Sequence, residues 1–287
     1  MDRKAQSSRQ VIPANGLDGA ARREARRLRH SWPLLIGTLP ALALITALAL
    51  PGCAGHQQPV DLRLTGEAKR IQIDKNLPED PAVEELIAPY RQTVVEKMSA
   101  PLAFAPVPFE RDEPEGMLGA LAADLVLARA RDVTGLPVDA CVLNNGGLRR
   151  ALPVGKITLG LVYEVMPFDN EIVVLRFTAQ QMQTLADQIA ATGGEPVSGL
   201  SLTIAGGKAT DVLVGGKAIE PRDYWVATSD YLAGGGGGVA VLWEAEETIR
   251  PAVTIRDALV YGLRAIGAAG GGGELGAVPV PEMGRIR

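Results

Sequence analysis

At Thr178 the chain changes period. Ile172–Phe177 reads IVVLRF, an apolar run of strand length, and the next residues continue TAQQMQTLADQIAA with Met182, Leu185 and Ile189 three and four apart. Strands repeat every 2 residues and helices every 3.6, so the switch fixes one strand, one helix from Thr178 to Ala191, and the join between them. Thr178 and Gln181 hold the spacing of a capping box, which starts the helix. Other segments read less sharply. Pro81–Ser99 carries Val83, Leu86, Ile87, Tyr90, Val94 and Met98 at helical spacing, a helix expected to be interrupted or kinked around Pro89. A helix is expected over Glu115–Asp132, with Leu118, Leu121, Leu125 and Ala128 on its inner face and a glycine stop at Gly135. Val138–Leu143, Leu200–Ile204, Asp211–Val214 and Tyr224–Thr228 read as strands, with Gly215-Gly216 as a hairpin turn. Asp61–Asp74 alternates loosely and could form a strand pair, and Thr254 opens a last helix with Ile255, Leu259, Leu263 and Ile266 inward. Strands and helices mix without a strict βαβ order, so the expected class is α+β, a mixed β-sheet with packed helices.

The first part of the chain has another character. Residues 1–31 hold eight of the 29 Lys/Arg and three of the 33 Asp/Glu, and Trp32–Leu50 has no charged residue before Pro51-Gly52-Cys53. A basic stretch, an apolar stretch and a small residue before the cut are the parts of a secretory signal. LALPGC resembles a bacterial lipobox, which would make residues 1–52 a signal peptide and Cys53 the lipidated first residue. An uncleaved anchor is the alternative, since 19 uncharged residues approach a span, although Pro33 and Pro40 oppose a continuous helix. Both readings place the bulk of the protein outside the cytoplasm and tethered to a membrane. Ala54 after the cysteine resembles lipoproteins of the outer membrane, on its periplasmic side or surface. Residues 53–78 are expected to be tether and lead-in, and 79–287 the folded domain. Beyond residue 52 the chain keeps 21 basic and 30 acidic residues, a net charge of −9. That balance argues against a nucleic-acid partner. With Cys53 lipidated, Cys141 has no disulfide partner and reads as a small buried hydrophobe.

The stretch VLNNGGLRRALP, Val142–Pro153, leaves a strand through two asparagines and two glycines and exits on two arginines. Glycine allows close backbone approach, asparagine offers donors and an acceptor, and arginine a planar fork for phosphate or carboxylate. The mixture suits a small anionic ligand; a tight turn with solvated arginines is the other reading.

LNNGGLR (Leu143–Arg149), GKITLGLVYEVMPFDNEIVVLRFTAQQM (Gly155–Met182), YWVATSDYLAGGGGG (Tyr224–Gly238) and PEMGRIR (Pro281–Arg287) stand in an order that resembles the C-terminal domain of the 5'-nucleotidase family. That family includes UDP-sugar hydrolases and ecto-5'-nucleotidases, and the likeness covers roughly Glu79–Arg287. The resemblance implies a nucleotide-recognition domain. It implies contacts from Asn144, Gly146, Gly147 and Arg149, with Arg149 reaching ribose and phosphate oxygens, and a base stacked between Phe168 and Tyr231. Stacking on an aromatic is worth on the order of 1–3 kcal/mol. Two positions depart from the pattern. The family's GGDG loop holds ribose through an aspartate where this chain has Gly237, and its ES-x-LGNL helix start appears as Glu115–Leu121 with Gly116 and Ala120 in place of serine and asparagine. Losing a carboxylate acceptor should cost ribose affinity.

The resemblance also implies a metallophosphatase half whose histidines and carboxylates hold two metals. This chain has two histidines, His30 and His56, and its length leaves no room for such a domain. No cofactor is expected in the chain, and divalent metals only in a partner. A Ser-His-Asp triad lacks its histidine, Cys141 lacks an activating base, and Gly234–Gly238 has no P-loop lysine after it. Glu84-Glu85 and Glu246-Glu247 read as solvated charges, and Gly270–Gly273 as a plain linker. The leading expectation is a stand-alone nucleotide-recognition lipoprotein, not catalytic alone, serving extracytoplasmic nucleotide catabolism with a separately encoded metallophosphatase. The alternatives are a nucleotide- or nucleoside-binding lipoprotein without hydrolase activity, and a surface lipoprotein with a degenerate pocket.

Overall fold

The computed structural model describes residues 77–287, within one compact unit spanning Asp74–Arg287. The signal and lipidation readings, Cys53, His30, His56 and the Asp61–Asp74 strand pair lie outside the described residues.

The described chain forms a mixed sheet covered on both faces. Its helices are α1 (Pro81–Met98), α2 (Met117–Thr134), α3 (Leu159–Val165), α4 (Ala179–Ala191), α5 (Asp230–Ala233) and α6 (Ile255–Ala268). Its strands are β1 (Pro101–Ala105), β2 (Ala140–Val142), β3 (Gly155–Thr158), β4 (Ile172–Phe177), β5 (Val197–Ser198), β6 (Leu200–Ala205), β7 (Lys208–Val214), β8 (Lys217–Ala218), β9 (Tyr224–Ser229) and β10 (Glu247–Ile249). The central five-stranded sheet runs β10-β4-β9-β2-β5, with β2 and β9 parallel and the other pairs antiparallel. β6-β7-β8 form an antiparallel meander, and β1 pairs β3.

Alternation along the central strands explains the layering. Ile172, Val174, Cys141 and Ala227 face one core with Leu118, Leu121, Val162, Leu259 and Leu263 from α2, α3 and α6. Val173, Leu175, Val142 and Val226 face the other, with Met182, Leu185 and Ile189 of α4 and Leu200 and Leu202 of β6. A sheet buried on both faces needs apolar residues on both, which is why Ile172–Leu175 of β4 read as an unbroken apolar run before the partly exposed Arg176. The capping box forms, with Gln181 N–H donating to Thr178 Oγ1 and Thr178 N–H to Gln181 Oε1 at 3.3 and 2.9 Å. Cys141 is fully buried in β2, and burial pushes its thiol well above the ordinary range, with the Asp124 charge adding.

Several sequence expectations are corrected. α1 is not interrupted at Pro89 but runs from Pro81 to Met98, and Val83, Leu86, Ile87, Tyr90 and Val94 stay exposed rather than forming an inner face. Its amphipathic stripe has no covering element among the described residues; only its end is anchored, where Met98 closes on Gly160 of α3. α2 starts two residues late because Gly116 is extended and because Glu115 is used elsewhere. Ala128 is exposed, while Ala122, Ala123, Val126 and Ala130 are buried, since α2 packs on both the sheet and α6. Gly270–Gly273 is a tight turn, not a linker: a Cβ at Gly270 would lie 2.2 Å from the Glu274 carbonyl oxygen. Glu246, Glu247 and Glu84 do remain surface charges, as expected, and form exposed ion pairs with Arg176 and Arg91.

The C-terminal segment is locked against α2. Glu115 Oε2 accepts from the Gly284 and Arg285 N–H groups at 2.6 and 2.9 Å, and Arg285 grips both Asp124 oxygens at 2.8 Å and donates to the Val197 carbonyl. Ile286 then lies beside Leu202 in a parallel bridge and fills the second core. Arg285→Ala is expected to cost about 1–2 kcal/mol, because the Val197 carbonyl loses its Arg285 donor while the partly exposed Asp124 keeps only Ser198 Oγ. Chemical denaturation of the two proteins checks this, and a loss below about 0.5 kcal/mol would show the lock to be idle.

Candidate ligand-binding site

β4 and β9 pair in the register Ile172↔Ser229. The loop entering β4 and the turn leaving β9 therefore emerge at the same end of the sheet. Phe168 sits on the first and Tyr231 on the second, in the first turn of α5. Two hydrogen bonds tie these segments, and a third braces Tyr231 on the same carboxylate. Asp230 N–H donates to the Glu171 carbonyl at 2.9 Å, Asn170 Nδ2 donates to Asp230 Oδ1 at 2.9 Å, and Tyr231 N–H donates to the same oxygen at 2.8 Å.

The third wall comes from the turn after β2. Asn145–Gly147 forms a single 3-10 turn, closed by Gly147 N–H on the Asn144 carbonyl at 3.0 Å. The glycines are needed here for space. A Cβ on Gly147 would stand 3.2 Å from Asn144 Oδ1, and one on Gly146 would stand 3.4 Å from its Nδ2, so the Asn144 amide folds over its own turn. Arg149 Nη1 donates to the Gly146 carbonyl at 3.1 Å, and the rest of its exposed guanidinium stays open to the cavity. Arg150 turns away to Glu164.

These elements enclose an open cavity of about 430 Å³ lined by Asn144, Gly146, Gly147, Arg149, Phe168, Asn170 and Tyr231. Six residues singled out in the sequence thus share one cavity. Gly237 is set back from this lining; a Cβ on it would meet Leu232 Cδ2 at 2.5 Å and Asn144 Cβ at 4.0 Å. Asn170 is the residue that the sequence reading missed, although it closes the MPFDN stretch that carries Phe168. Both rings are exposed for large apolar side chains, Phe168 at 43% and Tyr231 at 51%, as faces awaiting a partner would be.

The glycine run positions the second ring. A Cβ on Gly236 would fall 2.4 Å from Tyr231 ring carbons, and one on Gly235 would fall 3.2 Å from the Trp243 ring. Each of these glycines is a floor under an aromatic. On the far side of the turn, Glu195 Oε2 accepts from Asn145 N–H at 2.7 Å. Burial pushes its carboxyl up, the Asn145 hydrogen bond opposes this, and Glu113 adds to the rise. Gly116 has a structural reason too, since a Cβ there would lie 2.3 Å from Asp112 N. A side chain at that point would clash with the 110–112 backbone.

A second cleft of about 410 Å³ beside the C-terminal segment is lined by Asp124, Ser198, Arg285 and Arg287 among others. Its Arg285 and Asp124 are already bonded to each other, so it offers a ligand less than Arg149 does. Among the described residues no group of three or more His, Cys, Asp or Glu could hold a metal ion, and no helix is long and apolar enough to cross a membrane.

The family model for the 5'-nucleotidase C-terminal domain matches residues 98–244. The chain belongs to this family. It is 28% identical over 198 residues to a 5'-nucleotidase of Vibrio vulnificus (strain CMCP6), covering 63% of this chain and 34% of that protein. It is also 28% identical over 197 residues to a trifunctional nucleotide phosphoesterase of Bacillus subtilis (strain 168), covering 61% of this chain and 13% of that one. The chain thus spans about a third of the Vibrio relative's length and less of the other. Among solved structures, a 5'-nucleotidase precursor from Thermus thermophilus superposes with a TM-score of 0.60 at 26% identity, covering 73% of this chain and 43% of that one. The α+β class and the family resemblance expected from the sequence stand on these matches.

Gly236→Ala tests whether the glycine run supports the ring. The added methyl should displace Tyr231 and weaken binding of an aromatic ligand at least severalfold, with little change in melting temperature, because the displaced ring is exposed. Unchanged binding in a ligand titration would separate the glycine from the ring.

Proposed function

We propose that this domain recognises a nucleotide, or the nucleoside end of one, for an extracytoplasmic nucleotide-hydrolysing assembly whose metal centre lies on a separately encoded metallophosphatase. The observation that carries the reading is the single cavity. It brings two exposed aromatic faces, Phe168 and Tyr231, to the same opening as an arginine with free donors, Arg149. A planar base with an anionic tail is the ligand that uses both. The base stacks between the rings, and Arg149 meets the sugar-phosphate end through a fork suited to phosphate oxygens. Asn144 and Asn170 supply amide donors and acceptors at the rim.

The residues present do not fit the two-metal centre of a nucleotidase. Both histidines, His30 and His56, precede the described domain, and no ligand cluster occurs within it. No hydrolytic step is therefore assigned to this domain. Its contribution is to hold the nucleotide while another domain supplies the metal chemistry. The relatives named as nucleotidases support this division, since the chain matches only part of their length. Gly237 in place of an aspartate removes a carboxylate near Asn144, so the pocket should rely on stacking and on Arg149 more than on the ribose hydroxyls.

The same reading includes lipidation at Cys53 and anchorage to the outer membrane, motivated by the LALPGC stretch and the uncharged run before it. Metabolic labelling with a palmitate analogue, lost in Cys53→Ala, would support it.

Calorimetric titration of the 54–287 protein with AMP, adenosine and UDP-glucose tests the pocket. Saturable binding is expected, weakened at least a hundredfold in an Arg149→Ala, Phe168→Ala double variant, since a stacking face and a charged hydrogen bond are lost together. Binding that survives the double variant would move the ligand elsewhere.

A further inference from the structure

Arg256 occupies a position that helix electrostatics disfavour. Thr254 caps α6, so Arg256 lies in its first turn, where the partial positive charge of the helix end repels a cation. Its side chain is nevertheless 12% exposed, and its Nε is buried without a hydrogen-bond partner. A long charged side chain with free choice would extend into water. What holds this one is the loop that carries Phe168. Nη1 donates to the Phe168 carbonyl at 3.2 Å and lies 3.4 Å from the Met166 carbonyl, and Nη2 pairs with the Asp169 carboxylate. The guanidinium carbon stands 4.3 Å from the centre of the Tyr163 ring, which covers its other face.

Arg256 thus bridges three successive parts of the 166–169 segment and Tyr163 of α3. Met166 ends α3, and Ile255 N–H, beside Arg256, donates to the Asn170 carbonyl at 2.9 Å. The segment is fastened at both ends, and Arg256 is its only cross-brace from α6 to the carbonyl of Phe168 among the described residues. We infer that Arg256 is a positioning residue that sets the orientation of the Phe168 ring at the cavity, and through it the preference for ligands that carry an aromatic base. Lysine cannot replace it, because a single ammonium lacks the planar fork that reaches two carbonyls and a carboxylate together.

The orientation claim stands on geometry alone; the ligand preference rests on the nucleotide reading above. One set of samples separates them. The chain has four phenylalanines, so protein grown with 4-fluorophenylalanine gives four fluorine resonances, and Phe168→Leu identifies the one from Phe168. Arg256→Met, which keeps the apolar stem, and Arg256→Lys should both shift or broaden that resonance while leaving the buried Phe109 and Phe177 signals in place. In the same samples the Kd for AMP should rise about tenfold, the loss of one well-placed stacking face. The Kd for ribose 5-phosphate, which has no base, should stay within about twofold. An unmoved Phe168 resonance in a folded variant overturns the inference, as does an equal loss of affinity for both ligands. If the wild-type protein binds neither ligand, the resonance still decides the role of Arg256, and the nucleotide reading alone fails.

Discussion

Antiparallel pairing of β4 with β9 is the constraint on which the site depends. The register Ile172↔Ser229 brings the residues before one strand and after the other to a common sheet end. Neither Phe168 nor Tyr231 lies in a strand. Their proximity is inherited from backbone hydrogen bonds several residues away and then tightened by Asp230, which joins Asn170 to the Tyr231 backbone. A shift of one residue in this pairing would turn Val173 and Leu175 toward the wrong core and separate the two aromatic segments as well. Stability and the geometry of the cavity are therefore selected by the same register.

The third wall obeys a different logic. β2 runs parallel to β9 and ends in the Asn144–Gly147 turn, so the arginine-bearing loop reaches the cavity from the neighbouring strand position. Backbone space, more than side-chain chemistry, governs this wall and the glycine run opposite. Gly147 yields to the Asn144 amide, and Gly236 yields to the Tyr231 ring. Large flat side chains can lie close to the backbone only where a Cβ is missing. Such a wall is open to a planar ligand while the strands beneath it stay closely packed.

Much of this could be read from the sequence where local chemistry decides. The period change at Thr178, the capping pair Thr178 and Gln181, and the inner face Met182, Leu185 and Ile189 follow from spacing alone, and the structure has all of them. The lining residues Asn144, Arg149, Phe168 and Tyr231 came from a motif resemblance, since no spacing rule joins positions more than sixty residues apart. What stayed hidden was tertiary. The stripe on α1 has helical spacing yet is exposed, because periodicity reports amphipathicity and not what covers it. Leu118, Leu121, Leu125 and Ala128 define a single inner face by spacing, whereas α2 packs on both the sheet and α6, which leaves Ala128 outside. Glu115 looked like part of a helix start and instead receives the C-terminal backbone from 169 residues away. Arg256 carried one local signal, a cation in a first helical turn, whose meaning depends on a loop almost ninety residues earlier.

The central claim is that one cavity holds a base between Phe168 and Tyr231 and an anion at Arg149. A crystal structure of the 54–287 protein grown with AMP tests it most directly. The account predicts electron density for the purine between the two rings, with the phosphate or ribose oxygens within hydrogen-bonding distance of the Arg149 guanidinium. AMP bound in the cleft beside Arg285, or a fully occupied nucleotide whose base avoids both rings, would contradict it.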